Sequence, residues 1–337
     1  MNRVAKIFVL LIILCLGMNT LSAKHYEQNE TVNLDNVDEI IIVFKELTRI
    51  TFGFNLVSIK TEITSHGDDQ LLAHLDNDVS FAAGSSLPML QVEQRGRSVK
   101  IYFTNKRKIA FDIFRYGKIN LDVKIPENYR GKVKIESSIH DVYINELIVS
   151  ELELKNGTGK TELVNVYADR IQAHNSTGNM FIDGIDCNEA KITGSCGNID
   201  CGHLIVKNGR FENSTGNIKI ASLIANDTYI KNSTGTIKIE EISGKITMRS
   251  SLGTVKVKVK EFTDDIEIEN KTGTTKLWLP QNSAFNYRYF YGCGSVRFDF
   301  NRREDIDGTK GNAGTVNGGG PMLRATVGSG SLKILPY

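Results

Sequence analysis

The octet NSTGNIKI at Asn213–Ile220 returns 19 residues later as NSTGTIKI at Asn232–Ile239. Earlier copies read NGTGKTEL, NSTGNMFI and GSCGNIDC, centred on Gly159, Gly178 and Gly197, and drifted copies follow as SSLGTVKV, NKTGTTKL, GCGSVRF and GSGSLKI. A fixed period near twenty with a short strand in every copy predicts a solenoid in which each repeat is one coil. With the glycine as position zero, +2 and +4 are apolar: Met180 and Ile182, Ile199 and Cys201, Ile218 and Ile220, Ile237 and Ile239, Val255 and Val257. Alternation with period two puts those side chains on one face of a strand, which is the inside. Further inward columns fall at +7 (Val166, Ile185, Leu204, Leu223, Ile242) and near +14 (Ile192, Phe211, Ile230). The fold class expected is all-β, a parallel β-helix (β-solenoid) of about 19 residues per coil. A single coil could not bury its apolar face alone.

Three places before the glycine stand Asn156, Asn175, Asn213, Asn232 and Asn270. Asn and Gly tolerate positive φ, and Asn can bond its own backbone, so stacked Asn and Gly corners are expected to form a turn ladder. The same sites spell the N-x-T acceptor pattern for N-glycosylation, but the corner already accounts for the asparagine.

Arg3 and Lys6 precede an apolar run from Ile7 to Leu16, and Leu21-Ser22-Ala23 offers small residues for cleavage. Residues 1–23 therefore read as a signal peptide, and the chain as exported to the periplasm, the cell surface or the medium. A lipid anchor would need a small residue before Cys15, where Leu14 stands. No later segment is long and apolar enough to span a bilayer. The chain carries 41 Lys and Arg against 39 Asp and Glu, and loss of Arg3 and Lys6 with the leader balances them. A neutral chain is a poor nucleic-acid binder.

Of the remaining cysteines, Cys201 falls in the +4 column, while Cys196 and Cys293 sit in turns several coils apart. At a rise of ~4.8 Å per coil those two turns lie beyond the reach of a disulfide, so free thiols are expected. Their spacing matches no zinc pattern. Upstream, EIIIVF, LVSIKTEI, LQVEQ, VKIYF and INLDVKIP alternate like strands without forming a clean repeat. Residues 24–130 are read as an irregular strand-rich cap with the first coils, and 131–337 as regular coils of the same single domain. A cap blunts the open end of a stack.

LDVKIP (Leu121–Pro126), the STGNIKI octets, KLWLPQNSAFNYRYFYGCGSVRF (Lys276–Phe298) and GGGPMLRATVGSGSLKI (Gly318–Ile334) occur in that order. In this the chain resembles the bacterial putative-adhesin β-strand-repeat proteins, a domain of unknown function, over about Glu39 to Ile334. The resemblance implies an exported or surface-associated parallel β-helix without an established catalytic site.

Several chemical motifs fail on inspection. Gly159-Lys160-Thr161 echoes the end of a P-loop, but Leu154 stands where its first glycine belongs and a strand follows. The six histidines are scattered, no G-x-S-x-G elbow is present, and no cysteine has a usefully spaced histidine. Catalytic residues, metal ligands and cofactors are therefore not expected. A polysaccharide lyase or glycosidase would be the enzymatic alternative, yet it needs converging carboxylates in a groove walled by long loops. Asp183, Asp186 and Asp200 are near in sequence but differ in column. Position +3 does carry a basic stripe, Lys219, Lys238, Lys256, Lys276, Arg297 and Lys333, with Trp278 outward beside it and Glu240 and Asp299 close by. Tyr287 and Tyr289 count inward, and Asp307–Gly320 reads as a flexible excursion. The function expected is a non-catalytic surface module, adhesive or structural, whose partner is a glycan or another surface protein. An acidic-polysaccharide binder using the lysine face is the alternative.

Overall fold

The computed structural model describes residues 22–44, 54–81, 89–104, 114–306 and 311–337. The expected leader lies outside them, except for its last two residues. The described residues are all-β, and no helix among them is long and apolar enough to cross a membrane. The chain divides into two compact units, Met1–Tyr143 and Ile144–Tyr337.

In the first unit, β1 (Ser22–Asn33), β4 (Gln70–Phe81), β7 (Phe114–Pro126) and β3 (Phe54–His66) pair in that order, with only β7 and β3 parallel. A second run pairs β5 (Met89–Arg95), β6 (Ser98–Thr104), β2 (Glu39–Phe44) and β8 (Lys132–Ile139), where β2 lies parallel between β6 and β8. The antiparallel strands β1, β4 and β5 cap the outer parallel ones. Alternation decides what is buried: Ile40, Ile42 and Phe44 are fully buried, as are Leu71, Ala73, Leu75, Val99 and Ile101. Phe44 packs on Phe103 with ring centroids 5.3 Å apart and edge-on to His140 at 5.5 Å.

The second unit takes up the repeat after β9 (Asp141–Thr158). Its strands β10 (Thr161–Thr177), β11 (Met180–Cys196), β12 (Ile199–Thr215) and β13 (Ile218–Glu261) stack in parallel. Thr161 faces Met180, Met180 faces Ile199 and Ile199 faces Ile218, a 19-residue offset each time. The fold is β-solenoid-like. Ile182, Ile199, Ile218, Ile220, Ile237 and Val257 are at most 1% exposed, and the +7 and +14 columns are buried with them.

The corners are held by hydrogen bonds from coil to coil. Asn175, Asn213 and Asn232 each donate Nδ2 to the carbonyl of the glycine 16 residues earlier, Gly159, Gly197 and Gly216, at 2.8 to 2.9 Å. These asparagines are at most 3% exposed, so their amides are inaccessible to a glycosylating enzyme in the folded chain. A second, outer ladder runs at +1. There Asn179, Asn198 and Asn217 each accept from the backbone N–H one coil on, at 2.9 Å.

The end of this unit departs from sequence order. After β14 (Ile266–Leu279) comes β15 (Phe285–Phe298), yet the strand paired with β14 is the last one, β18 (Met322–Pro336). β15 pairs with the other edge of β18, again in parallel. Asp307–Gly320 is not the expected flexible excursion throughout. Gly311–Val316 forms β17, which lies antiparallel between β15 and β16 (Arg302–Ile306). This small antiparallel group covers part of the edge that β15 would otherwise leave open. Residues 307–310 lie outside the described residues.

Candidate functional site

Strand pairing aligns the +3 side chains. Asp200 is opposite Lys219, Lys256 is opposite Lys276, Lys276 is opposite Lys333, and Lys333 is opposite Arg297. The insertion of β18 sets Lys333 between Lys276 and Arg297, an order the sequence did not reveal because the linear count places Arg297 first. The ends of the row are neutralised. Lys219 Nζ is 3.6 Å from Asp200, Lys238 Nζ is 2.7 Å from Glu240, and Arg297 is 2.6 Å from Asp299. Hydrogen bonds from Lys238 and Arg297 hold Glu240 and Asp299 below the usual carboxylate range. Among the described residues, no carboxylate pairs with Lys256, Lys276 or Lys333. These three adjacent rungs therefore carry uncompensated charge.

Two further columns flank them. Thr254, Thr274 and Ser331 line the +1 side, with Ser331 Oγ donating to Thr274 Oγ1 at 3.2 Å. On the +5 side Trp278 lies between Lys258 and Leu335 and is half-buried. Lys258 Nζ sits 4.3 Å from the ring centroid of Tyr337, whose hydroxyl donates to Val259 O at 2.8 Å. Hydroxyl and ammonium columns thus run side by side on one strand face, with the single aromatic Trp278 beyond the ammonium one.

The other singled-out residues fall apart spatially. Asp183 Oδ1 accepts from His203 N at 2.7 Å, and that bond holds its carboxyl below the usual range. Asp186 stands between Tyr167 and Ile205, while Asp200 faces Lys219, so the three carboxylates do not converge. Tyr287 and Tyr289 are core residues, 2% and 5% exposed, with stacked rings 6.0 Å apart. All four cysteines after the leader are free: Cys187 and Cys201 are buried, Cys196 and Cys293 exposed. Burial pushes the Cys187 thiol up to about 12, which makes it inert.

His25 meets two carboxylates. His25 Nε2 is 3.1 Å from Glu27 Oε1, and its Nδ1 is 3.5 Å from Asp76 Oδ1. One atom from each residue falls within a 4.8 Å cluster on the outer face of β1 and β4. The 25/27 alternation was legible in sequence, but Asp76 joins only through antiparallel pairing. His25 and Glu27 are exposed.

By sequence the chain belongs to the Toastrack DUF4097 family, whose model matches residues 49–222 and 193–334. No curated protein matches it. Among solved structures, it is similar to a putative adhesin from Parabacteroides distasonis, at 10% identity over 92% of this chain and 97% of that one, TM-score 0.40. A putative adhesin from Parabacteroides merdae matches at 11% identity over 75% and 92%, TM-score 0.39. A putative lipid binding protein from Parabacteroides distasonis matches at 14% identity over 91% and 96%, TM-score 0.35.

Proposed function

We propose that this chain is an exported, non-catalytic surface or periplasmic module, built as a parallel β-helix of about 19 residues per coil, that holds an acidic polysaccharide along its lysine face. The adhesin names among similar structures agree with a binding role. The observation that carries the reading is the run of unpaired Lys256, Lys276 and Lys333 between ion-paired Lys219, Lys238 and Arg297. Lysines that serve only solubility need no such alignment, although they also keep β-surfaces from pairing. Here the charges recur at ~4.8 Å, the coil spacing, a pitch that suits an extended polyanion. Trp278 gives a sugar ring an apolar surface at the side of the row.

Each exposed contact is weak, and several at matching pitch add through effective concentration. Binding of a uronate homopolymer to the mature chain should therefore be detectable at low ionic strength and fall steeply with salt. Replacing Lys256 and Lys276 together by Glu should abolish it while changing stability by less than about 1 kcal/mol. A wild type that binds no acidic polysaccharide, or a double variant that binds as well as wild type, would reduce the row to a solubilising surface.

A further inference from the structure

In the first unit β1 and β4 pair antiparallel, and residues directly opposite on such a pair project from the same side. Ala73, Leu75 and Asn77 of β4 are fully buried, so His74, Asp76 and Asp78 stand on the outer face. Opposite them in β1 are Asn29, Glu27 and His25. Donor chemistry concentrates in this patch. His25 reaches Glu27 Oε1 at 3.1 Å through Nε2 and Asp76 Oδ1 at 3.5 Å through Nδ1, and one donor atom from each of the three residues lies within 4.8 Å of the others. Ligands on one tetrahedral zinc, at ~2.0 to 2.1 Å from the metal, stand about 3.3 Å from one another, so the cluster closes on an ion with a contraction of roughly 1.5 Å at most.

A separate observation points to a ligand for Asp76. Its side chain is 34% exposed as a whole, yet Oδ1 itself is shielded from solvent and has no hydrogen-bond partner. The 3.5 Å contact with His25 is too long to serve as one. Asn120 Nδ2 reaches the other oxygen, Oδ2, also at 3.5 Å. A buried carboxylate oxygen without a donor costs free energy, and a bound cation satisfies it. The surroundings leave negative charge in excess. On the same face stand Asp78, Asp122 and Glu62 against Lys118 and Lys60, and Lys60 is bound to Glu62 at 2.7 Å. Burial and the nearby Glu62 push the Asp122 carboxyl above its usual range, with His74, Lys60 and Lys124 opposing.

We propose that His25, Glu27 and Asp76 hold one divalent transition-metal ion of the zinc class, with water completing its coordination. One imidazole with two carboxylates suits zinc, whereas calcium and magnesium take oxygen ligands in larger number. The ion clamps β1 onto β4, because His25 and Glu27 come from one strand and Asp76 from the other. The site lies in the first unit and needs none of the lysine row, so it stands apart from the polysaccharide reading.

Calorimetric titration of zinc chloride into the chelator-treated mature chain near neutral pH tests it. One zinc per chain should bind, and Asp76→Asn and His25→Gln should each weaken it about tenfold or more. His203→Gln, which breaks the His203–Asp183 pair elsewhere, should leave it within about twofold. A melting scan checks that each variant folds. Hydrogen exchange gives a second readout, since zinc should slow the amides of β1 in the wild type and leave them unchanged in Asp76→Asn. With the expected leader ending at Ala23, the α-amine of Lys24 is a rival ligand beside His25, and Asp76, brought in by strand pairing, separates the two. No zinc binding by the wild type, or equal binding by folded Asp76→Asn, overturns the site. Binding that disappears when the α-amine is acetylated but survives Asp76→Asn assigns the metal to the chain terminus and also overturns it. Unaltered exchange of β1 in the zinc-loaded wild type overturns the clamp.

Discussion

Gly216 meets two demands that no other residue type meets together. Its φ is 121°, and a Cβ there would lie 2.0 Å from Gly197 O, inside any possible contact. The same close stacking brings its carbonyl to Asn232 Nδ2 at 2.9 Å. Glycine is therefore the residue that lets coils touch, and asparagine the one that ties them. His140 poses a different constraint. It is 2% exposed against Phe44, and burial lowers its pKa to about 4, with Asp141 opposing only in part. The folded form resists protonation that the unfolded chain accepts below about 6.5. Stability should be level above that pH and fall by up to about 3 kcal/mol as pH drops from 6.5 to 4. Denaturant unfolding across that range should give a shallower acid slope for His140→Leu than for wild type, and equal slopes would contradict a neutral buried imidazole.

Each strand has an inner and an outer face, and neighbouring residues on it have opposite fates. Ile220 is 1% exposed, whereas Lys219 beside it is exposed and ion-paired at its tip with Asp200. Ile220→Asp places a carboxylate among Cys201 and Ile239 in the +4 column and should cost on the order of 3 kcal/mol or more. Lys219→Asp loses only a surface pair worth under about 1 kcal/mol and adds a like charge opposite Asp200. Comparing the melting temperatures of the two variants checks the faces, since equal values would mean that the register is wrong. At this scale one inward column of the coils was incompletely legible: the +12 column, Ile171, Ala190, Gly209 and Thr228, is buried but mixed in character. Small and polar residues there conceal the alternation that marks +2 and +4. Phe211 reaches across the space over Gly209, whose Cβ would lie 2.9 Å from its ring.

Across the second unit, the last strand of the chain is an interior one. β18 is paired on both edges, with β14 and β15, and Leu323, Ala325, Val327, Leu332 and Ile334 are buried. Hydrogen exchange should find the amides of β18 protected as well as those of β14, and better than those of β16 at the covering edge. Exchange of β18 at the rate of a free tail would refute its insertion. The same order completes the cation row, because Lys333 reaches Lys276 and Arg297 only from an inserted strand.

The repeat by itself determined the all-β class, the inward columns, the corner ladder and the outward lysines, because period-two alternation and glycine corners are local properties of each octet. It also led to four free cysteines, since each thiol's column follows from the count. Tertiary structure alone decided which coil neighbours which at the end of the second unit and that Gly311–Val316 pairs as a strand. The octets are nearly equivalent as pairing partners, so their local pattern does not choose an order. That choice rests on how the ends cover their open edges and bury Phe285, Tyr287 and Tyr289, which are contacts between residues far apart in the chain.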